Sequence, residues 1–98
     1  MRVLYRPEAE VEMVAARDWY EARSIGLGLE FVRCVDAAIA SAQRTPDSFL
    51  QLVAPFRRVL LRRFPYSLIY TIESDALVVI ACYHHRRAPG IWLRREKK

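Results

Sequence analysis

Cysteine is scarce in this chain, and no long apolar run is present. The 98 residues include two cysteines, Cys34 and Cys82, which lie far apart and form no CxxC pair. Small secreted scaffolds are rich in cysteine, so we expect two reduced, buried thiols, with a structural disulfide as the less favoured alternative. No stretch approaches the roughly 18 apolar residues of a membrane span, and no cleavable signal is visible. The sequence therefore predicts a cytoplasmic protein that does not enter a membrane.

Residues able to hold a metal ion are also few. His84 and His85 are the only histidines, and no carboxylate or thiol adjoins them in the sequence. Two neighbouring histidines without further ligands do not complete the coordination shell of zinc or another transition metal. We therefore expect neither a metal nor any other cofactor.

Positive charge is concentrated in the second half of the chain. Residues 1–55 carry six arginines and eight acidic residues, a net charge of −2, whereas residues 56–98 carry ten basic and three acidic residues, a net charge of +7. A basic surface of this kind suits a nucleic acid or an acidic protein segment. Charge alone does not separate these two partners.

Apolar periodicity predicts a single domain over residues 1–98. The predicted elements are a strand at Arg2–Arg6, a helix from Pro7 to about Arg23, a break at 24–28, a second helix ending at Thr45, a connecting loop at 48–55, and strands at 56–63, 66–73 and 76–83. Short connections imply a helical hairpin and an antiparallel meander. The predicted fold is α+β, β-α-α-β-β-β, with the hairpin packed on a small, mainly antiparallel four-stranded sheet. Periodicity leaves open which end of the meander pairs with the first strand.

The predicted end of the chain is a basic tail. Pro89-Gly90 is expected to end regular structure, and the tail is expected to order chiefly on binding a partner. Residues 96–98 are predicted to be disordered.

Several short motifs together resemble the ParE/RelE toxin superfamily, and most closely its ParE-like plasmid stabilisation branch. The resemblance covers essentially the whole chain, in order and at compatible spacings. The motifs are Pro7-Glu8-Ala9-Glu10, Trp19-Tyr20-Glu21, Gly26-Leu27-Gly28 with Phe31, Pro46, Arg57 ahead of Phe64-Pro65-Tyr66 with Tyr70, and His85-Arg86-Arg87 with Pro89 and Trp92.

This resemblance implies the toxin of a bacterial type II toxin–antitoxin pair, held inactive by a cognate antitoxin. It implies the β-α-α-β-β-β architecture and leaves two modes of action open. ParE-type members poison DNA gyrase, whereas RelE-type members cut messenger RNA on the ribosome. Fold does not decide between these targets.

The residues expected to bind a partner belong to two basic clusters and one face of the helical hairpin. Trp19 lies on an apolar stripe of the first helix and is predicted to be buried, whereas Tyr20 and Met13 are predicted to be exposed anchors for the antitoxin. For the arginines, a plain solvated edge that blocks aggregation is the alternative reading. The expected partner-binding residues are Arg57, Arg58, Arg62, Arg63, Arg86, Arg87, Trp92, Tyr20 and Met13.

A nuclease needs a base, an acid and cations around the phosphate. The candidates are Arg58, Arg62 and Arg87 as clamps, with His84 or His85 and Tyr83 or Tyr66 for proton transfer. RelE-type cleavers have lysines on the strand hairpin, where this chain has only arginines, and arginine is a poor base. The leading hypothesis is therefore a ParE-like toxin that acts by binding gyrase. The alternatives are a ribosome-dependent endoribonuclease and a binding module that is no longer toxic.

Overall fold

The computed structural model describes residues 1–87 and 90–96 of the chain. Its elements include the predicted helical hairpin and meander, together with one further strand and one further helix. In chain order they are β1 (Arg2–Tyr5), α1 (Pro7–Arg23), α2 (Leu27–Arg44), β2 (Leu50–Val53), β3 (Phe56–Leu60), β4 (Tyr66–Glu73), β5 (Ala76–His84) and α3 (Ile91–Glu96). The α+β prediction is confirmed, with five strands in place of four.

The sheet has the strand order β1-β5-β4-β3-β2. The first strand joins the far side of β5 and runs parallel to it, with Arg2 opposite Ala76 and Tyr5 opposite Val79. All other pairings are antiparallel. The question that periodicity left open is thus answered, because β1 pairs with the last strand of the meander.

Strand β2 was missed by the sequence prediction, which placed a loop at 48–55. Leu50 and Val53 are more than half exposed, so no burial pattern distinguishes this edge strand from a loop. Strand β3 also ends at Leu60 and not at Arg63, because Leu61 and Phe64 turn inward and become buried. Short edge strands of this kind limit pairing between molecules.

The core forms on both faces of the sheet. Phe31, Val35 and Ala42 of α2 pack with Leu68 and Val79 on one face. A list of the buried residues on the opposite face contains Ile69, Ala76, Val78, Ile80, Ala81 and Trp92. Strand β5 is therefore buried on both sides, as its continuous apolar run predicts.

The turn between the helices explains why two glycines and a glutamate occur there. The Glu21 carboxylate accepts backbone N–H groups from Gly26 at 3.0 Å and Gly28 at 2.9 Å, which satisfies free donors at the start of α2. Gly26 has φ +91°, and a Cβ on Gly28 would lie 2.9 Å from the Arg17 carbonyl oxygen. Glycine is required at both positions, and the helices can approach closely.

The sequence predicted that regular structure ends at Pro89-Gly90, but helix α3 follows at Ile91–Glu96. Pro89 itself lies outside the described residues. Trp92 is buried and packs edge-on against Phe56, with 5.2 Å between ring centroids. Glu96 accepts from the Arg6 guanidinium at 3.4 Å. This apolar contact and ion pair hold α3 on the sheet, so Glu96 is not disordered. The rest of the predicted disordered tail, residues 97–98, lies outside the described part of the chain.

Candidate functional site

Helix α1 carries two apolar stripes, and the buried one is not the one that the sequence prediction chose. Trp19 is 51% exposed and Val11 is 68% exposed, whereas Ala9 and Ala16 are buried. Tyr20 is half-buried and stacks on Phe31 at 5.5 Å. The predicted burial of Trp19 is wrong, because the shorter alanine side chains let α1 approach the sheet on the other side.

Tyr20 and Met13 were expected to be exposed anchors for a partner. Both are half-buried and pack against the core between the helices and the sheet. Tyr20 also contacts the Phe64 ring edge-on, with centroids 4.7 Å apart. Their exposed edges remain accessible, but most of each side chain already has a structural role, and Trp19 is the exposed aromatic ring of this helix.

A groove of about 570 Å³ lies between α1 and the end of β5, and we call it the α1–β5 groove. One wall is the exposed apolar stripe of α1, and the other is formed by polar and aromatic side chains around the end of the meander. Its lining residues are Val11, Glu12, Ala15, Ala16, Trp19, Tyr20, Tyr66, Cys82, Tyr83, His84, Arg86 and Arg87. Four of the nuclease candidates, Tyr66, Tyr83, His84 and Arg87, are therefore brought together here.

Positive charge is confined to one end of the α1–β5 groove. Arg86 and Arg87 are exposed there, and neither forms an ion pair within the described part of the chain. Burial raises the pKa of Tyr66, with a smaller contribution from Tyr20, while the Arg87 guanidinium acts in the opposite direction. Tyr66 therefore stays protonated at neutral pH and can donate, but not act as a base.

His84 is the last residue of β5, and His85 begins the turn that follows. Their side chains lie on opposite faces of the sheet, because their partners Tyr66 and Ser67 are neighbours on β4 and point to opposite faces. His84 packs edge-on against Tyr66 at 5.1 Å, and its Nδ1 accepts the Arg86 backbone N–H at 3.0 Å. In its neutral form His84 therefore carries its proton on Nε2 and presents a donor. The Nε2 of His85 forms a hydrogen bond at 2.9 Å with Oγ of Ser67, a fully buried residue outside this groove.

The thiol in the lining of the α1–β5 groove, that of Cys82, is unreactive at neutral pH. Glu12 accepts the backbone N–H of Cys82 at 3.0 Å, which ties α1 to β5. Burial, and secondarily the Glu12 carboxylate, raises the pKa of the Cys82 thiol to about 12. A thiol with this pKa is not a nucleophile at neutral pH. Cys34 and Cys82 are both free thiols, but only Cys82 is buried as predicted, and Cys34 is partly exposed.

The arginines of the first basic cluster, Arg57 to Arg63, contact different parts of the folded chain and do not form one surface. The Arg57 guanidinium donates to the carbonyl oxygens of Asp47 at 3.2 Å and Phe49 at 2.7 Å, so it fastens the loop before β2. Arg63 pairs with the Glu30 carboxylate of α2 at 2.6 Å. Both arginines therefore have structural partners within the chain.

Arg58 and Trp92 lie on the sheet face that α3 covers. Arg58 is opposite Ile69, which belongs to the same apolar cluster as Trp92. The Nε of Arg58 and the Nε1 of Trp92 are buried and have no hydrogen-bond partner among the described residues. Trp92, which the sequence predicted to bind a partner, is 5% exposed and offers little accessible surface in this conformation.

A second groove, of about 510 Å³, lies between α2 and the end of β3, and we call it the α2–β3 groove. Three arginines border a floor of small and apolar side chains, and no acidic residue occurs among the described lining residues. The lining residues are Arg33, Cys34, Ala37, Ala38, Ala40, Ser41, Arg44, Phe49, Val59, Leu60 and Arg62. Arg33 and Arg44 were not predicted as binding residues; their position on one side of α2, eleven residues apart, was the available signal.

The described residues contain no group of three or more histidine, cysteine or acidic side chains able to hold a metal ion. No described helix is both long and apolar enough to cross a membrane.

Comparison with known proteins identifies the fold. No family model and no curated protein matches the sequence. A solved chain described as "Chromosomal ParDE TA system from P. aeruginosa", a toxin–antitoxin system, superposes with a TM-score of 0.71 and 18% sequence identity. The match covers 86% of this chain and 95% of that chain. The chain has a ParE-like fold.

The ParE-like fold accounts for most of the motifs that carry the sequence resemblance. Glu21, Gly26 and Gly28 form the turn between the helices, and Phe31 and Phe64 meet in the core with ring centroids 5.2 Å apart. These residues maintain the hairpin. The exposed arginines in the two grooves remain as candidates for contacts with other molecules.

Proposed function

We propose that the chain is the ParE-like toxin of a bacterial type II toxin–antitoxin pair. The observation that carries the proposal is the fold similarity, which extends over 95% of the ParDE chain. Because one fold can serve several functions, the assignment also depends on the surface residues. The motifs Phe64-Pro65-Tyr66 and His85-Arg86-Arg87 support the ParE-like branch.

The partner in the resting state is a cognate antitoxin bound in the cytoplasm. The chain has a net charge of +5, and Arg62, Arg86 and Arg87 form no ion pair with any described residue. Exposed arginines of this kind suit an acidic protein partner, because guanidinium groups bind carboxylates through paired hydrogen bonds.

The active toxin acts by binding its target, DNA gyrase, through the α1–β5 groove. Trp19 supplies an exposed aromatic ring, and Arg86 and Arg87 supply charge at one end. Aromatic and arginine side chains are common anchors of protein interfaces. Arginine remains protonated, and the neutral form of His84 presents a donor, so the groove is suited to recognition more than to proton abstraction.

Expression of the chain without antitoxin in bacteria tests the proposal. We expect growth arrest with altered plasmid supercoiling and DNA breaks. The variant Arg86→Ala/Arg87→Ala should lose most of this toxicity, because it removes the charge from the groove. The matched control Arg2→Ala/Arg17→Ala removes two exposed arginines that pair with surface carboxylates elsewhere.

Two results would contradict this function. Growth arrest with normal supercoiling and cleaved ribosome-bound messages would exclude gyrase as the target. Normal growth despite abundant soluble protein would instead identify a binding module without toxicity.

A ribosome-dependent endoribonuclease is the second candidate. It is favoured by the meeting of Tyr66, Tyr83, His84 and Arg87 in one groove. His84→Ala should then abolish message cleavage, whereas His85→Ala, on the other face of the sheet, should retain it. Unchanged toxicity in the double variant His84→Ala/His85→Ala would exclude this candidate.

A further inference from the structure

The exposed ring of Trp19 forms part of the α1–β5 groove, and Arg23 lies over this ring. The guanidinium carbon of Arg23 is 3.4 Å from the centroid of the Trp19 ring, and Nη1 of Arg23 donates to the Trp19 carbonyl oxygen at 3.2 Å. Trp19 lines the groove, whereas Arg23 is not among its described lining residues. The guanidinium therefore stacks on the ring from outside the groove, and Trp19 is still 51% exposed.

Tyr20 contacts the same ring from a second direction. The rings of Trp19 and Tyr20 meet edge-on, with centroids 5.0 Å apart and an interplanar angle of 86°. Tyr20 in turn contacts the rings of Phe31, Phe64 and Tyr66, at centroid distances of 5.5, 4.7 and 6.1 Å. Trp19 is thus the outermost ring of an aromatic cluster that extends from the core to the surface, and two contacts restrict its orientation.

A ring that is already held in the free protein binds a partner at a lower entropic cost. A side chain that becomes ordered only at an interface loses rotamer freedom when the complex forms, whereas a preorganised side chain has already lost it. Arg23 also lies in the last turn of α1, where any cation interacts favourably with the helix dipole. That role does not require the guanidinium to stack on an indole ring.

The charges around the groove indicate which kind of target the ring suits. Arg23 lies on the ring, and Arg86 and Arg87 lie at one end of the groove. These guanidinium groups repel a cationic side chain, whereas an apolar side chain with a carboxylate near it fits both the ring and the arginines. Single-stranded nucleic acid is bound by cations along its path and by successive exposed rings. Because the cations here stand at one end and Glu12 belongs to the lining, a protein target fits better.

We propose that Arg23 is a positioning residue for target binding. It holds the Trp19 ring in one orientation, and the ring receives an apolar side chain of a target protein whose carboxylates face Arg86 and Arg87. The identification of that target as DNA gyrase rests on the proposed function, whereas the immobilisation of Trp19 by Arg23 does not.

Nuclear magnetic resonance on the full chain examines the ring directly. The chain has two tryptophans, Trp19 and Trp92, so the variant Trp19→Phe assigns both indole N–H signals. The nitrogen-15 order parameter of the Trp19 indole should be near that of a rigid backbone, about 0.8, and should fall below about 0.6 in Arg23→Gln. The order parameter of Trp92, which is buried, should not change. A mobile Trp19 indole in the unaltered chain, or an equally rigid one in Arg23→Gln, would overturn the proposal.

Binding to purified DNA gyrase relates the order of the ring to function. The full chain carries fluorescein on Cys34, which is partly exposed in the α2–β3 groove, and binding is followed by fluorescence anisotropy. Arg23→Gln should weaken binding about fivefold, and Trp19→Ala should weaken it at least about tenfold. The matched control Arg17→Gln makes the same change in net charge at an exposed arginine of α1 that pairs with Asp18. It should change binding less than about twofold, and equal losses in Arg17→Gln and Arg23→Gln would overturn the proposal.

A double-mutant cycle separates positioning from direct contact. If Arg23 acts through Trp19, Arg23→Gln should change binding less than about twofold in a chain that already carries Trp19→Ala. An undiminished loss in that background would overturn the proposal, because Arg23 would then contact the target itself. Circular dichroism confirms that each variant is folded.

Two further outcomes concern the target. If the unaltered chain does not bind gyrase, the proposed function and the target named here are both contradicted, and the order parameter alone decides whether Arg23 holds the ring. If a fluorescein-labelled single-stranded RNA binds more tightly than gyrase and Trp19→Ala abolishes that binding, the protein target is overturned, because the ring would then stack on a base.

Discussion

The α1–β5 and α2–β3 grooves flank the same helical hairpin but differ in how they carry charge. The α1–β5 groove has an exposed aromatic wall, a carboxylate in its lining and arginines at one end. The α2–β3 groove has three arginines around an apolar floor, and none of its described lining residues is acidic. Two helices of similar length thus provide one surface with an exposed aromatic ring and another in which arginines predominate.

Truncation of Phe31 should cause the largest loss of stability that we expect. It should also alter the α1–β5 groove more than the α2–β3 groove. Phe31 is fully buried and contacts Tyr20 and Tyr66, which both line the α1–β5 groove. Phe31→Ala should lower the free energy of unfolding by about 3–5 kcal/mol, measured by urea denaturation. Leu29→Ala, on the same helix but 55% exposed, should cost less than about 1 kcal/mol. Equal costs would contradict the core position of Phe31.

Each groove is lined by one of the two cysteines, Cys82 in the α1–β5 groove and Cys34 in the α2–β3 groove, so measurements on the thiols examine the grooves separately. Cys82 lies under the α1–β5 groove with a pKa raised to about 12, compared with about 8.5 in an unfolded chain. Folding therefore retains a proton that the unfolded chain releases, so stability should fall as pH rises from about 9 towards 12, by about 1 kcal/mol per pH unit. Unfolding measured against pH should show this loss, and Cys82→Ala should reduce the slope but not abolish it, because burial also raises the pKa values of Tyr5, Tyr20, Tyr66 and Tyr70.

Thiol labelling provides the control for that measurement. Cys34 lines the α2–β3 groove and is partly exposed, so it should react with a maleimide in the folded protein while Cys82 does not. Faster labelling of Cys82 would contradict its buried position.

Removal of the Glu21 carboxylate should weaken the α2 wall of one groove more than the sheet beneath it. Glu21 accepts N–H groups of Gly26 and Gly28 at the start of α2. Glu21→Ala should cost about 1 kcal/mol of unfolding free energy and increase hydrogen exchange in the first turn of α2. Asp18→Ala, an exposed acid on the same helix, is the control, and similar exchange in both variants would argue against the cap.

The ion pair between Arg63 and Glu30 should give the smallest effect. It is short, at 2.6 Å, but the Arg63 side chain is 72% exposed. A double-mutant cycle with alanine should yield a coupling of about 0.2–1 kcal/mol that decreases in salt. A coupling above about 2 kcal/mol would mean that solvent screens the pair less than its exposure indicates.

The sequence predicted elements with one clear apolar period and failed where two patterns compete. Helix α2 has one apolar face, and Phe31, Val35 and Ala42 are buried as expected. Helix α1 has two apolar stripes, and periodicity favoured the one with larger side chains. The smaller residues Ala9 and Ala16 are buried instead, because they permit close approach to the sheet.

The remaining differences arise from contacts between distant residues. Strand β2 forms because β3 offers an edge, and α3 is held by Phe56 and Arg6, neither of which is near it in the sequence. For the site, the sequence singled out the arginines but not which ones are already paired. The partners of Arg57 and Arg63 come from a loop and from α2, so local patterns do not distinguish these two arginines from Arg62, which has no ion pair among the described residues.

The parallel pairing of β1 with β5 has a consequence for how the protein is made. Arg2 lies opposite Ala76, so the first strand to leave the ribosome has to wait for the last strand of the sheet before it can pair. Pairing over such a long sequence separation is slow compared with helix formation. A chain under synthesis therefore passes through a stage in which its hairpin of helices can form but its sheet is open at one edge, and the sheet is completed only after β5 has left the ribosome.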